Sequence, residues 1–197
     1  MMQLFDKWDT SAIQVQEEAL KPYINIKEII VPRSGGRYAY NRFWAPKCHI
    51  VERLINRLMV TGHQGKKHKI SSGSFTGKTN TLYSLVKRTL ELIEQKTGKN
   101  PLEILVRAVE NAAPREGITT VEYGGARYSK SVEISPQRRI DIALRWITQG
   151  TYAKSFGKKR KMHECLADEL MAAANMDQKS FAISKKLELE RQADSSR

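Results

Sequence analysis

The sequence predicts a mainly α protein: a single helical bundle domain of about five to six helices, a protruding β-hairpin arm and an N-terminal extension. Three observations predict it. Apolar residues recur at helical spacing in successive stretches from Cys48 onward. The connections between those stretches are short, as between neighbouring helices of a bundle. One stretch, Gly117 to Ile134, alternates with a period of two on either side of a Gly-Gly pair. The expected organisation is an extension over residues 1–47, partly irregular, and a helical domain over 48–197 that carries the arm at about 118–134.

The extension is expected to hold little core of its own. Ile24, Ile26, Ile29, Ile30 and Val31 make a short apolar element, and Pro32 to Tyr38 reads as loop. Beyond it, Arg37, Arg42 and Lys47 interleave with Tyr38, Tyr40, Phe43 and Trp44. That mixture suits RNA, whose unpaired bases stack on aromatic and guanidinium planes. The same aromatics can instead anchor the arm to the core.

The first helix is expected from about Cys48 to Val60, with Ile50, Val51, Leu54, Ile55 and Leu58 on its apolar stripe. Gly62 to Gly73 is a basic loop holding Lys66, Lys67 and Lys69. The second helix spans about Thr79 to Thr97, and Gly98 supplies its C′ residue. Asn100-Pro101 opens the third: the Asn side chain caps a free amide, and Pro at the first helical position has no N–H to leave orphaned. Pro114 stops it. In the hairpin, Val121 and Tyr123 alternate before Gly124-Gly125, and Tyr128, Lys130, Val132 and Ile134 after it. Both glycines tolerate the positive φ of a two-residue turn. The outer half offers Tyr123, Arg127, Tyr128 and Lys130 in place of an apolar face, so the ribbon is expected to project and meet a partner. Ser135-Pro136 opens the fourth helix, which buries Ile140, Ala143, Leu144 and Ile147 and ends near Gly150 or slightly beyond. Met162, Leu166, Leu170 and Ala173 mark the fifth. A last polar helix starts at Ser180, with Phe181, Ile183 and Leu187 available for docking.

The net charge is +13 over 197 residues, and it is unevenly spread. The first 30 residues hold three lysines against five carboxylates, and residues 162–197 hold five cations against seven. The middle therefore carries the whole excess and more, which points to a polyanion partner. No basic amphipathic helix with an aromatic face argues for a membrane surface. The N-terminus lacks a basic stretch followed by an apolar run, and no run of about 18 apolar residues occurs, so neither secretion nor membrane spanning is expected. Two isolated cysteines, Cys48 and Cys165, suit a reducing compartment and buried thiols.

Catalytic chemistry is not expected, nor a cofactor or metal. Ser72 to Thr79 resembles a phosphate loop, but Ser72 stands where the motif needs Gly, and no strand feeds the loop. Part of the physics survives: Gly77-Lys78-Thr79 opens a helix, whose free amides and Lys78 can hold a backbone phosphate. His49, His63, His68 and His163 do not fall at metal-ligand spacing with the cysteines. The basic sites are clearer. Lys154, Lys158, Lys159, Arg160 and Lys161 crowd eight residues, beside Arg138, Arg139 and Arg145 of the preceding helix. Arg138 and Arg139 lie in the first turns of that helix, where positive charge opposes the dipole and an anionic partner compensates. Arg145 lies two turns from Arg138, on the same face. The expected RNA-binding set adds Arg33, Arg37, Arg42, Lys47, Lys66, Lys67, Lys69, Lys78, Arg115, Arg127, Tyr128 and Lys130 to these.

At these residues the chain resembles a known family. Asn100 to Glu116 (NPLEILVRAVENAAPRE) and Ser135 to Trp146 (SPQRRIDIALRW) look like the universal ribosomal protein seven of the small subunit. Glu164 to Ala174 and Lys185 to Arg191 extend the likeness, and Arg37 to Leu54 resembles the archaeal and eukaryotic branch. The likeness covers about residues 33–197. It implies a cytoplasmic, ribosome-bound protein and a helical domain with a protruding hairpin. It also implies primary binding to the 3′ major domain of small-subunit rRNA, nucleation of head assembly, neighbouring ribosomal proteins as partners, and a place near exit-site tRNA and departing mRNA. Ser131 departs from the bacterial pattern, in which a Pro commonly follows the hairpin tyrosine. The rival readings are a DNA-binding helical protein, disfavoured because no helix-turn-helix pair is evident, and a nucleotide-binding enzyme.

Overall fold

The last long apolar stripe of the sequence forms the hub of the fold. The computed structural model describes residues 3–60 and 75–197. In it α5 (Met162–Ala174) packs against α2 (Thr79–Thr97), α3 (Pro101–Ala112) and α4 (Pro136–Ser155), with α1 (Ile50–Leu58) and α6 (Phe181–Asp194) outside them. The small residues of α5, Ala167, Ala173 and Ala174, let its neighbours approach closely, while Leu166 and Leu170 fill the space between them. Leu82, Val86, Leu90 and Ile93 of α2 meet Leu102, Leu105, Val106 and Val109 of α3 and the α4 stripe in one cluster. Each such side chain contributes about 1.5–3 kcal/mol by leaving water.

Local signals set most boundaries. Asn100 accepts from the Leu102 amide at 3.1 Å, and Ser180 accepts from Ile183 at 3.4 Å. Gly98 ends α2 at φ +64°. The first helix is shorter than expected: His49 Nδ1 accepts from the Val51 amide at 3.2 Å, so His49 is the cap and Cys48 lies outside. The fourth is longer and runs through Gly150 to Ser155. Gly150 does not stop it; a Cβ there would lie 2.6 Å from the Cβ of Phe181, so the glycine makes room for α6 to cross. The chain turns after α4 at Gly157, φ +68°.

The strands β1 (Glu116–Tyr123) and β2 (Ala126–Glu133) pair antiparallel, from Glu116 opposite Glu133 to Tyr123 opposite Ala126. Gly124 and Gly125 have φ +56° and +84°, the signs a type I′ turn requires. Residues 119–130 are all exposed, so the arm projects. Its root is held instead. Gly117 is buried against Ile134, and Arg115 N–H donates to Glu190 of α6 at 3.1 Å. Ser131 N–H donates to the Ser196 carbonyl at 3.2 Å, a bond that a proline at 131 would lack.

The extension contributes more core than expected. Leu4, Phe5, Trp8, Leu20 and Ile24 are buried in the main cluster, with the Phe5 ring 4.7 Å from that of Tyr83 and Trp8 donating to Glu94 at 3.0 Å. Ile30 and Val31, expected in an apolar element, are exposed.

Candidate nucleic-acid interface

α1 is nine residues long and sorts its polar side chains onto two neighbouring faces. Glu52 and Asn56, one turn apart, meet the extension. Glu52 accepts from the Ser34 amide at 2.9 Å and hydroxyl at 2.7 Å, and Asn56 donates to the Tyr38 hydroxyl at 3.0 Å. Burial, with Cys48 and Glu52 beside it, raises the Tyr38 pKa. Arg53 and Arg57, the next pair one turn apart, face α4. Arg53 is buried, donates to the Tyr23 carbonyl at 3.0 Å and pairs with Asp141 at 3.0 Å. Arg57 is half-buried, and its pKa is lowered first by that burial and then by the charge of Arg145.

This docking sets the exposed cations of the extension around α1. Arg37 and Arg42 flank the docked Tyr38, and Arg42 lies 5.7 Å from the Phe43 ring centre. Lys47 sits 3.9 Å over the Trp44 ring. Tyr40 and Phe43 remain 84% and 74% exposed, so two aromatic faces are open for stacking. Arg33 reaches Asn80 in the first turn of α2 at 3.5 Å, next to the exposed Lys78 that precedes the helix. On α4, Arg138 and Arg145 are exposed. Arg37, Lys78, Arg138 and Arg145 have no carboxylate partner among the described residues.

Arg139 does not join them. It is buried, donates through Nε to the Pro114 carbonyl at 2.9 Å and pairs through Nη2 with Glu17 at 2.7 Å. Its charge is spent inside the protein, on Glu17 and the Pro114 carbonyl, so the side chain points inward where the sequence placed it on the outer basic surface. The run from Lys154 to Lys161 divides likewise. Lys154 pairs with the fully buried Glu169, and Arg160 pairs with Asp168, which also takes Lys96 at 2.9 Å. Lys158, Lys159 and Lys161 stay exposed and without a carboxylate partner among the described residues. Arg115 is exposed at the hairpin root, 3.8 Å from Glu17.

At the arm, Tyr123 and Tyr128 are 79% and 61% exposed, while Arg127 lies 3.7 Å from Glu122 on the facing strand. The two strands hold three carboxylates against two cations, Arg127 and Lys130. The arm is thus aromatic and near neutral, and the basic surface lies on the domain.

The sequence pattern of the family described as "Ribosomal protein S7p/S5e" matches residues 20–197. The chain belongs to that family. A "Small ribosomal subunit protein uS7" of Nanoarchaeum equitans is 48% identical over 196 residues, covering 100% of this chain and 99% of that one. One of the same description from Methanosphaera stadtmanae is 43% identical over 192 residues, covering 98% and 97%.

In this S7p/S5e family member the fold thus brings together Arg33, Arg37, Arg42, Lys47 and Lys78 around α1, and Arg138 and Arg145 on α4. It buries Arg139 in an ion pair and engages the partly exposed Lys154 and the exposed Arg160 in others. Lys66, Lys67 and Lys69 lie outside the described residues, as do His63, His68 and the first three residues, 72–74, of the phosphate-loop-like segment. Sequence reasoning missed Arg57, whose only signal was its place one turn after Arg53. It also missed Glu17, the partner of Arg139. Among the described residues no three His, Cys, Asp or Glu side chains gather as metal ligands, and no helix is long and apolar enough to cross a membrane.

Proposed function

We propose that this chain is a structural constituent of the small ribosomal subunit that binds the 3′ major domain of its rRNA and nucleates assembly of the head. The extension, α1 and α4 form the phosphate-binding surface, with Lys158, Lys159 and Lys161 at its far end. The basic loop of Lys66, Lys67 and Lys69 adds to it. The aromatic arm reaches toward exit-site tRNA and departing mRNA, where Tyr128, Arg127 and Lys130 meet bases or backbone. Neighbouring ribosomal proteins are its other partners, in cytoplasmic ribosomes, and its role involves no catalysis.

The observation that carries this reading is the sorting of charge. Carboxylates pair inward with Arg53, Arg139 and Lys154, while Arg37, Lys78, Arg138 and Arg145 are left outward and unpaired. A surface arranged in this way attracts phosphates and releases their counterions. Family membership and full-length likeness to archaeal small-subunit proteins support the ribosomal assignment.

The test is binding to a 3′ major-domain rRNA fragment between 50 and 200 mM salt, with duplex DNA as competitor. With some 6–10 phosphates engaged, affinity is expected to fall about 10³–10⁵-fold over that range. A flat response, or equal competition by duplex DNA, overturns the proposal.

A further inference from the structure

We propose that Arg57 and Arg145 form a two-guanidinium clamp for a single backbone phosphate of the bound RNA, seated between α1 and α4. The inference rests on the RNA-binding reading above and assigns a specific subsite within it. The geometry begins with the Arg53–Asp141 pair at 3.0 Å, which fixes the two helices side by side. One turn further along each helix stand Arg57 and Arg145. Two cations therefore stand near enough for the charge of Arg145 to act on Arg57, where an alternation of charge would continue the pattern.

The free protein does not satisfy this pair. Asp141 is the carboxylate whose charge acts on Arg57, and Arg53 already holds it. Arg57 has no ion pair or side-chain hydrogen bond of its own among the described residues, yet it is half-buried. Its position in the last turn of α1 lets the helix dipole help it, but that is worth only about 0.3–1 kcal/mol. Arg145 beside it works the other way. A half-buried guanidinium that feels an unpaired like charge is a site prepared for an anion. A phosphate oxygen pair matches the fork of a guanidinium, and two forks can hold one phosphate from two sides. Arg138, two turns before Arg145 on α4, extends the same face toward the next phosphate along the backbone.

The test uses the full chain, the 3′ major-domain rRNA fragment, and the variants Arg57→Gln, Arg145→Gln and the double variant, with Arg191→Gln on the exposed side of α6 as control. Each single variant is expected to lower the salt slope by about one. The double variant is expected to lower it by no more than that, because both remove the same contact. Arg57→Lys is expected to keep the slope and lose only part of the affinity. In urea unfolding without RNA, Arg57→Gln is expected to be as stable as the parent or more so, since it relieves an uncompensated charge. Losses that add to two units of slope mean separate phosphates and overturn the clamp. A parent slope left intact by Arg57→Gln, or clear destabilisation of that variant without RNA, overturns it as well. Failure of the parent chain to bind the fragment would instead overturn the RNA-binding reading itself.

Discussion

Arg139 and Glu17, 122 residues apart in sequence, meet at 2.7 Å beneath the root of the hairpin. The same guanidinium donates to the Pro114 carbonyl at 2.9 Å, just before β1. Glu110 of α3 accepts from the amides of Gln16 and Glu17 at 2.7 and 3.1 Å, so the start of the chain is tied to α3, α4 and the arm at one point. The extension belongs mechanically to the domain.

Replacing Arg139 by Met would therefore strand a partly buried carboxylate and free a buried carbonyl. Breaking a buried pair from one side costs about 3–5 kcal/mol, and the residual exposure of Glu17 with Arg115 nearby favours the low end. The neighbouring Arg138→Met should stay within about 0.5 kcal/mol, as for an exposed site. Urea unfolding of the two variants checks this, and equal stabilities would contradict the inward placement of Arg139.

Gly150 offers a test in which the usual sign is reversed. Within a helix, Gly to Ala ordinarily stabilises by about 0.5–1 kcal/mol. Here the new Cβ would lie 2.6 Å from the Phe181 Cβ, an atom fixed to the α6 backbone, and 3.2 Å from Glu169 Oε1. Gly150→Ala is expected to destabilise by about 1–3 kcal/mol in chemical denaturation, as overpacked cores do. A gain in stability would show that α6 does not cross α4 so closely.

Much of this was legible in the sequence where the signal is local. Gly98, Asn100-Pro101 and Gly124-Gly125 act through their own backbone, and the elements they bound lie within a few residues of expectation. What the sequence hid depends on partners far away along the chain. Arg138 and Arg139 read alike as neighbouring cations, yet Arg139 falls four residues before Ala143, on the buried stripe, and its partner is Glu17. Leu4, Phe5 and Trp8 show no period of their own, because they fill gaps left by other elements. Gly150 reads as a stop until Phe181 is known to pack on it. The exposed cations of the interface were named from composition; which of them remain unpaired required the fold.

His49 makes the stability pH-dependent. Its ring is 3% exposed, and burial lowers its pKa from 6.5 to about 4. Nδ1 accepts from Val51, so the neutral ring carries its proton on Nε2, and protonation of Nδ1 would break the α1 cap. Between pH 4 and 6.5 the unfolded chain binds this proton and the folded one does not. Stability from this group is complete above about pH 6.5 and falls as pH drops toward 4, by at most about 3 kcal/mol. His49→Asn keeps a cap acceptor without the titration. The parent is expected to lose up to that much more stability than the variant between pH 7 and 4 in urea titrations; parallel losses would refute the assignment.

The arm can be shortened without disturbing its register. Because Thr119 faces Lys130, removing residues 120–123 and 126–129 leaves Thr119-Gly-Gly-Lys130 with the same turn and the same pairing below it. Everything removed is exposed, whereas the contacts that hold the root, Gly117 with Ile134, Ser131 with Ser196 and Glu116 with Arg197 at 2.5 Å, remain. The helical circular dichroism and the unfolding midpoint are therefore expected to match the parent. The excised segment contains one carboxylate, Glu122, and one cation, Arg127, so the salt slope of rRNA-fragment binding should change by less than about one. What the proposed placement of the arm predicts to be lost is the contribution of Tyr123 and Tyr128 to contacts with tRNA or mRNA, read from crosslinks on assembled subunits. Loss of helical signal in the shortened chain would place the arm in the core. A large drop in salt slope would move the phosphate-binding surface from α1 and α4 to the hairpin.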